Sequence, residues 1–274
     1  MTISNSIGLN RIIQPELPVT DFIRFTSDCG FTDIELRNDL QDPRITGSET
    51  IADVKQACTK YGITVRTVNA LKRFNDPSLF KQNREELISL TDIAQKLGCS
   101  DIVLCPVNDP ADTRSAGQQF QDTLDALQYY AQIFEKKEMT GLVEPLGFGI
   151  SSLRFKQKAV EIIRASGVAS HYRIVHDTFH HYLAGESRVF PEWTGIVHVS
   201  GVTVSMDKGE IIDDHRVLVD DNDIMNNKAQ LGLLLEAGYT GPISYEPFSP
   251  SVQHSSRTDL KQSLFISRKI LFGL

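Results

Sequence analysis

The chain has 274 residues, 41% hydrophobic and 23% charged, the proportions expected of a globular protein with a full core and not of a disordered one. Its formal net charge of −7 disfavours a partner held mainly through phosphate neutralisation, so no nucleic acid is expected. No stretch approaches the roughly 20 apolar residues of a membrane span, and the opening MTISNSIGLN lacks a signal-peptide pattern, so no membrane association and a cytoplasmic location are expected.

Short β-branched runs alternate with helical periodicity along the whole chain. In order, strands are predicted at Ser6–Ile12 and Thr32–Arg37, then a helix at Ser48–Tyr61, a strand at Thr64–Leu71 and a helix at Asn83–Leu97. A strand at Asp101–Val107, a helix at Ser115–Lys136, a strand at Gly141–Leu146 and a helix at Lys156–Ala165 follow. Strands at Tyr172–Thr178 and Gly195–Ser200, a helix at Lys228–Ala237, a strand at Pro242–Phe248 and a helix at Thr258–Leu271 complete the pattern. In Asn83–Leu97, Leu87, Leu90, Ile93, Ala94 and Leu97 fall at spacings of three and four and line one face. Eight strands joined by helices predict an α/β fold, a single (β/α)8 TIM barrel over residues 1–274, with its active site at the C-terminal face of the strands. Cys29, Cys58, Cys99 and Cys105 show no CxxC spacing and are expected to be reduced thiols.

Alternate side chains of a barrel strand point inward and the rest face the helices. In GIVHVS, Val197 and Val199 suit the helix side and leave His198 inward; in PISYEPF, Ile243 and Tyr245 leave Ser244 and Glu246 inward. The same count turns Leu142 and Glu144 inward, and Val175 and Asp177. Four ligand-type side chains on four consecutive strand ends therefore converge. Three carboxylates so close repel one another unless a cation compensates them, and one divalent metal ion (Mn2+, Zn2+, Co2+ or Mg2+) is the simplest compensation.

Several neighbours are candidate substrate-binding groups. Glu35 and Arg37 share an inward face at the end of the second strand, Asn69 ends the third, His180 lies in the loop after Asp177, and Arg216 lies in the long connection after the seventh strand. Trp193, Phe74, Phe148 and Phe179 are candidates for an apolar wall that keeps water from the reaction.

The segments DIELRNDL, VNALKRFND, LVEPLG, HDTFHH, IVHVSG, DDHRV and ISYEPFSP together resemble the xylose-isomerase-like barrel superfamily, and within it the inosose (2-keto-myo-inositol) isomerase branch. The resemblance spans nearly the whole chain. It implies that Glu144, Asp177, His198 and Glu246 are the metal ligands and that His180 and Arg216 touch substrate. It also implies a carbohydrate-metabolic enzyme, in inositol catabolism, acting on a small polyol or keto-sugar, with a homo-oligomer compatible. Ser200 departs from relatives that carry a carboxylate two residues after the histidine, which leaves the substrate open.

The expected reaction is isomerisation of a keto-inositol by proton transfer through a metal-bound cis-enediolate, with Glu144 or Glu246 as the catalytic base. Ketose 3-epimerase and hydroxypyruvate isomerase are the nearest alternatives. More distant ones are an apurinic endonuclease-like metal nuclease, which needs further histidines where this chain has Asn69 and Pro106, and a non-catalytic sugar-binding barrel.

Overall fold

A computed structural model describes residues 5–273. Its eight parallel strands are β1 (Ile7–Asn10), β2 (Asp33–Arg37), β3 (Thr64–Lys72), β4 (Asp101–Cys105), β5 (Thr140–Val143), β6 (Tyr172–Asp177), β7 (Thr194–Val199) and β8 (Ile243–Tyr245). They close in sequence order, β1 pairing with β8, to give the TIM barrel that the alternating pattern predicts. The helices are α1 (Val19–Asp28), α2 (Ile51–Tyr61), α3 (Phe80–Lys96), α4 (Ala116–Lys137), α5 (Lys156–Ala165), α6 (Thr178–Ala184), α7 (Asn227–Glu236), the short α8 (Pro250–Gln253) and α9 (Arg257–Phe272).

Local chemistry sets several of these ends. Thr50 and Ser115 form capping boxes at α2 and α4, and Gly62 closes α2 in the left-handed conformation that glycine adopts without a Cβ clash. Among the described residues no helix is long and apolar enough to cross a membrane, and all four cysteines are free.

Three helices lie outside the predicted ranges: α1, α6 and the short α8. In α1 the apolar stripe of Val19, Phe22 and Ile23 is completed by Thr26, whose hydroxyl bonds back to the Phe22 carbonyl and so packs inside like an apolar residue. In α6 the segment read as a loop is helical, because Asp177 accepts from the amides of Phe179 and His180 while Gly185 ends the turn with positive φ.

The strand parity separates two cores. Val197, Val199, Ile243 and Tyr245 pack outward in the layer between strands and helices. Ala70, Val103, Leu142, Val175 and Ile196 fill the barrel interior. Leu142, Val175 and Ile196 each precede a ligand-type residue by two positions, so the interior layer is a dry floor directly beneath the C-terminal mouth. Register sets the mouth residues side by side: Asp177 pairs with His198, and His198 with Ser244.

Behind the barrel, α5 and α6 are joined by a buried polar contact. The Lys156 ammonium donates to His181 Nδ1 and lies 3.3 Å from Glu186, while the His181 and His176 rings lie 4.9 Å apart. Burial, then the Lys156 charge, pushes the His181 pKa down to about 3, so the imidazole is neutral and accepts. Burial outweighs the attraction of Glu186 and lowers the Lys156 pKa to about 8. Because this value lies below that of an unfolded lysine, Lys156 costs stability at low pH, and the cost lifts as pH rises through and above 8. Between pH 7 and 9 the wild type should gain about 1 kcal/mol relative to Lys156→Met in urea unfolding, whereas parallel pH profiles would refute the depressed pKa.

Candidate active site

Glu144, Asp177, His198 and Glu246 come together as parity predicts, each offering a ligand atom within 4.8 Å of the others, all four buried. Among the described residues this is the cluster of ligand-type side chains at metal-binding spacing. His198 Nδ1 lies 3.0 Å from Glu144 Oε1 and 3.2 Å from Glu246 Oε2. Its other nitrogen, Nε2, lies 3.0 Å from Glu35 Oε2. Asp177 holds α6 through Oδ1 and keeps Oδ2 toward the mouth.

Two arginines brace the carboxylates. Arg37 Nη1 donates to Glu246 Oε1 at 2.7 Å, and its Nε and Nη2 hold Asp39 at 2.7 and 2.9 Å. Arg216 Nη2 bridges Asp177 Oδ2 at 2.6 Å and Glu246 Oε2 at 3.0 Å, while its Nε donates to Ser200. Ser200 thus accepts from the arginine where a carboxylate would add another negative charge. Arg216 is almost fully buried, its guanidinium between the rings of Phe179 (4.8 Å) and Phe248 (4.5 Å). The long connection that carries it is anchored by paired backbone hydrogen bonds between Gly201 and Val217, and by Val202, Ile211 and Met225 packing on Phe179 and Leu183.

The charges do not balance among themselves. Buried at the mouth are four carboxylates, Glu35, Glu144, Asp177 and Glu246, against two guanidinium groups, Arg37 and Arg216. Asp39 is offset separately by Lys72 at 2.9 Å. With His198 neutral, as a metal ligand must be, the deficit of two charges equals the charge of one divalent cation, and the oxygen-plus-imidazole donor set suits such an ion. The protein groups also answer this field: burial disfavours the imidazolium, but Glu246 and Glu35 outweigh it and raise the His198 pKa well above its ordinary value. Burial likewise opposes the charged form of Glu246, and His198, Arg216 and Arg37 outweigh it, holding the carboxyl well below the usual range.

The cluster floors a cavity of about 380 Å3, lined among others by Arg37, Asn69, Cys105, Phe148, His180, Arg216 and Phe248. This is near the lower end of small-molecule sites, roughly 300–1,000 Å3. His180 is buried against Phe148 and Phe179 and its Nδ1 has no hydrogen-bond partner within the protein. Asn69 reaches the lining, with its amide donating to Glu35 at 3.0 Å.

Glu35 has a different place from the one expected. It lies beneath the cavity, wholly buried, and its carboxylate accepts from Thr67, Asn69, Asn10 and the His198 ring. Two of the four expected wall aromatics are also elsewhere. Phe74 turns into the layer between strands and helices although its neighbours Lys72 and Arg73 line the cavity, and Trp193, just before β7 and so at the opposite end of the barrel, packs on that layer under Arg164. Phe148 lines the cavity, with Phe179 edge-on behind it at 5.8 Å.

Three contributors went unread in the sequence. Asn10 bridges Glu35 and Glu246, at 3.3 and 3.0 Å; it shares the inward parity of Gly8, a signal that strand alternation offered. Phe248 sits two residues after Glu246 and stacks on both arginines. Cys105 Sγ lies 3.4 Å from Glu144 Oε2. Burial, with the Glu144 charge, raises the Cys105 pKa, so it is a thiol that donates to the carboxylate.

Residues 23–269 match the xylose isomerase-like TIM barrel family, and the chain belongs to that family. It is similar to a xylose isomerase domain containing protein from Salmonella typhimurium LT2, with 31% identity over 99% of both chains and a TM-score of 0.91. The IOLI protein, solved with a bound zinc atom, aligns over 97% of both chains at 19% identity and TM-score 0.88. D-psicose 3-epimerase from Clostridium cellulolyticum H10, solved with D-tagatose, aligns over 97% of this chain and 99% of its own at 15% identity and TM-score 0.73. No curated protein gives a significant match to the chain.

The site's frame depends on a close backbone approach. A Cβ on Gly147 would stand 2.1 Å from the His180 carbonyl oxygen, so only glycine lets the loop after β5 pass α6. Gly147→Ala should lower the unfolding free energy by about 1–3 kcal/mol in urea titrations, and an unchanged midpoint would show that α6 is not held there.

Proposed function

We infer that the protein is a divalent-metal-dependent isomerase or epimerase of polyol ketones, with keto-inositol isomerisation as its leading reaction. The observation that carries this reading is the convergence of Glu144, Asp177, His198 and Glu246, two positive charges short of balance when His198 is neutral, on the floor of a cavity. Structural neighbours solved with zinc and with a ketohexose support the metal and the substrate class, and the sequence landmarks that resemble the inosose isomerase branch support the keto-inositol.

The three carboxylates and His198 Nδ1 would hold the ion, which when bound supplies the positive charge that polarises a ketone and acidifies the neighbouring C–H bond. The protein does the rest. His180 lines the cavity and is the candidate to meet a substrate hydroxyl, and Phe148 and Phe248 keep the reacting atoms from water. Of the two candidate bases, Glu246 has both oxygens engaged, by Arg37 and Asn10 on one and by Arg216 and His198 on the other. Glu144 Oε2 meets the Cys105 thiol, a weak donor, and is the freer oxygen to take the proton. As that proton leaves carbon, the electron pair of the C–H bond moves into the ketone. Return of the proton to the former ketone carbon, with the hydroxyl proton of the carbon that lost it passing to the former ketone oxygen, gives isomerisation, and return to the opposite face of the same carbon gives epimerisation.

Incubation of the Mn2+- or Zn2+-loaded protein in D2O with 2-keto-myo-inositol and a ketohexose panel tests the reading. Deuterium should enter the carbon next to the ketone, and the product should name the isomer or epimer formed. Glu144→Gln and Glu246→Gln should each slow exchange by about 10²–10⁴-fold while the circular dichroism spectrum is retained. Absence of exchange with every ketone would contradict the assignment.

A further inference from the structure

His198 sits between carboxylates on both sides, and the two sides differ. On Nδ1 are Glu144 and Glu246, both on the cavity floor. On Nε2 is Glu35, below the floor and 1% exposed. Glu35 is itself fixed by three neutral donors: Thr67 Oγ1 at 2.5 Å and Asn69 Nδ2 at 3.0 Å on Oε2, and Asn10 Nδ2 at 3.3 Å on Oε1. They come from two strands, since Asn10 ends β1 and Thr67 and Asn69 belong to β3. Asn10 also bonds Glu246 Oε1 and receives Arg37 Nη1 on its own carbonyl oxygen at 3.1 Å. The layer under the ligands is therefore one hydrogen-bonded unit, in which every oxygen of Glu35 has a stated partner.

We propose that Glu35 is a positioning residue for the metal centre: it holds His198 in the Nε2–H tautomer, and so leaves the Nδ1 lone pair directed at the ion that Glu144, Asp177 and Glu246 share. With the ion in place the opposite assignment fails: a proton on Nδ1 would point into the space the ion needs, and would leave the unprotonated Nε2 against a buried carboxylate with no hydrogen between them. Metal-binding histidines commonly donate their second N–H to a carboxylate in this manner, which fixes the ring and makes the ligating nitrogen more basic. The same placement removes Glu35 from substrate contact, since Asn69 and Thr67 stand over the carboxylate that the sequence had offered as a substrate clamp. This inference rests on the proposed metal site, and its test separates the two.

The test measures affinity for Zn2+ alone, by competition with a chromophoric chelator, in the wild type, Glu35→Gln and Glu35→Ala. Glu35→Gln keeps the shape and an oxygen that accepts from Nε2–H while removing the charge and setting an amide N–H against the Asn10 donor, so it should keep its circular dichroism spectrum with a lowered melting temperature in the metal-free state, and bind Zn2+ more weakly. Glu35→Ala should lose about 10–100-fold in affinity. Long-range 1H–15N spectra of the zinc-loaded wild type should show His198 protonated at Nε2 and ligating through Nδ1. An Nδ1–H tautomer, or Zn2+ affinity unchanged in both variants, would overturn the role of Glu35. Unchanged affinity with a raised KM would return it to substrate contact. A wild type that binds no divalent ion would overturn the metal reading itself, and the inference with it.

Discussion

The site is governed by an imbalance of buried charge. Four carboxylates meet at one end of the barrel, and two guanidinium groups stand against them. An uncompensated buried carboxylate costs several kcal/mol, and protonation of His198 can offset only one of the two missing charges. Much of the surrounding structure follows from managing it. Arg216 is clamped between Phe179 and Phe248 so that its charge stays where Asp177 and Glu246 need it. Ser200 accepts from that arginine in place of a further acid, and Cys105 offers Glu144 a donor that carries no charge of its own.

Beneath the ligands, two layers divide the work. The apolar layer of Ala70, Val103, Leu142, Val175 and Ile196 excludes water and lowers the local dielectric, which strengthens each ionic contact above it. The polar group of Asn10, Glu35, Thr67 and Asn69 fixes orientation. Parallel register then sets the side chains abreast, because each ligand-type residue stands two positions after an inward residue of its own strand. A site held in this way is preorganised by the strand ends and not by flexible loops.

The barrel and its four convergent side chains were legible in the sequence because both depend on period. Strand alternation puts Glu144, Asp177, His198 and Glu246 on one face whatever their partners are, and the eight β-branched runs locate the strands that carry them. What depends on partners was harder to read. Asn10 shares the inward parity of its strand, yet an asparagine carries no mark of the Glu35 and Glu246 carboxylates it joins. Glu35 has the parity of a mouth residue, and its role changes because His198 reaches down to it from across the barrel. The α6 turn was hidden because its cap is Asp177, a residue whose type equally suits a ligand. Phe74 and Trp193 were placed by residue type alone, and type does not tell a wall from a core.

The central claim is that the charge deficit at the mouth is a metal site. The most direct measurement is anomalous diffraction at the metal absorption edge from crystals grown with Zn2+ or Mn2+. The account predicts one strong peak at the end of the barrel, within ligand distance, about 2.0–2.2 Å, of Glu144, Asp177, Glu246 and His198 Nδ1. No peak there at a saturating concentration of ion, with Arg216 still bridging Asp177 and Glu246, would contradict it.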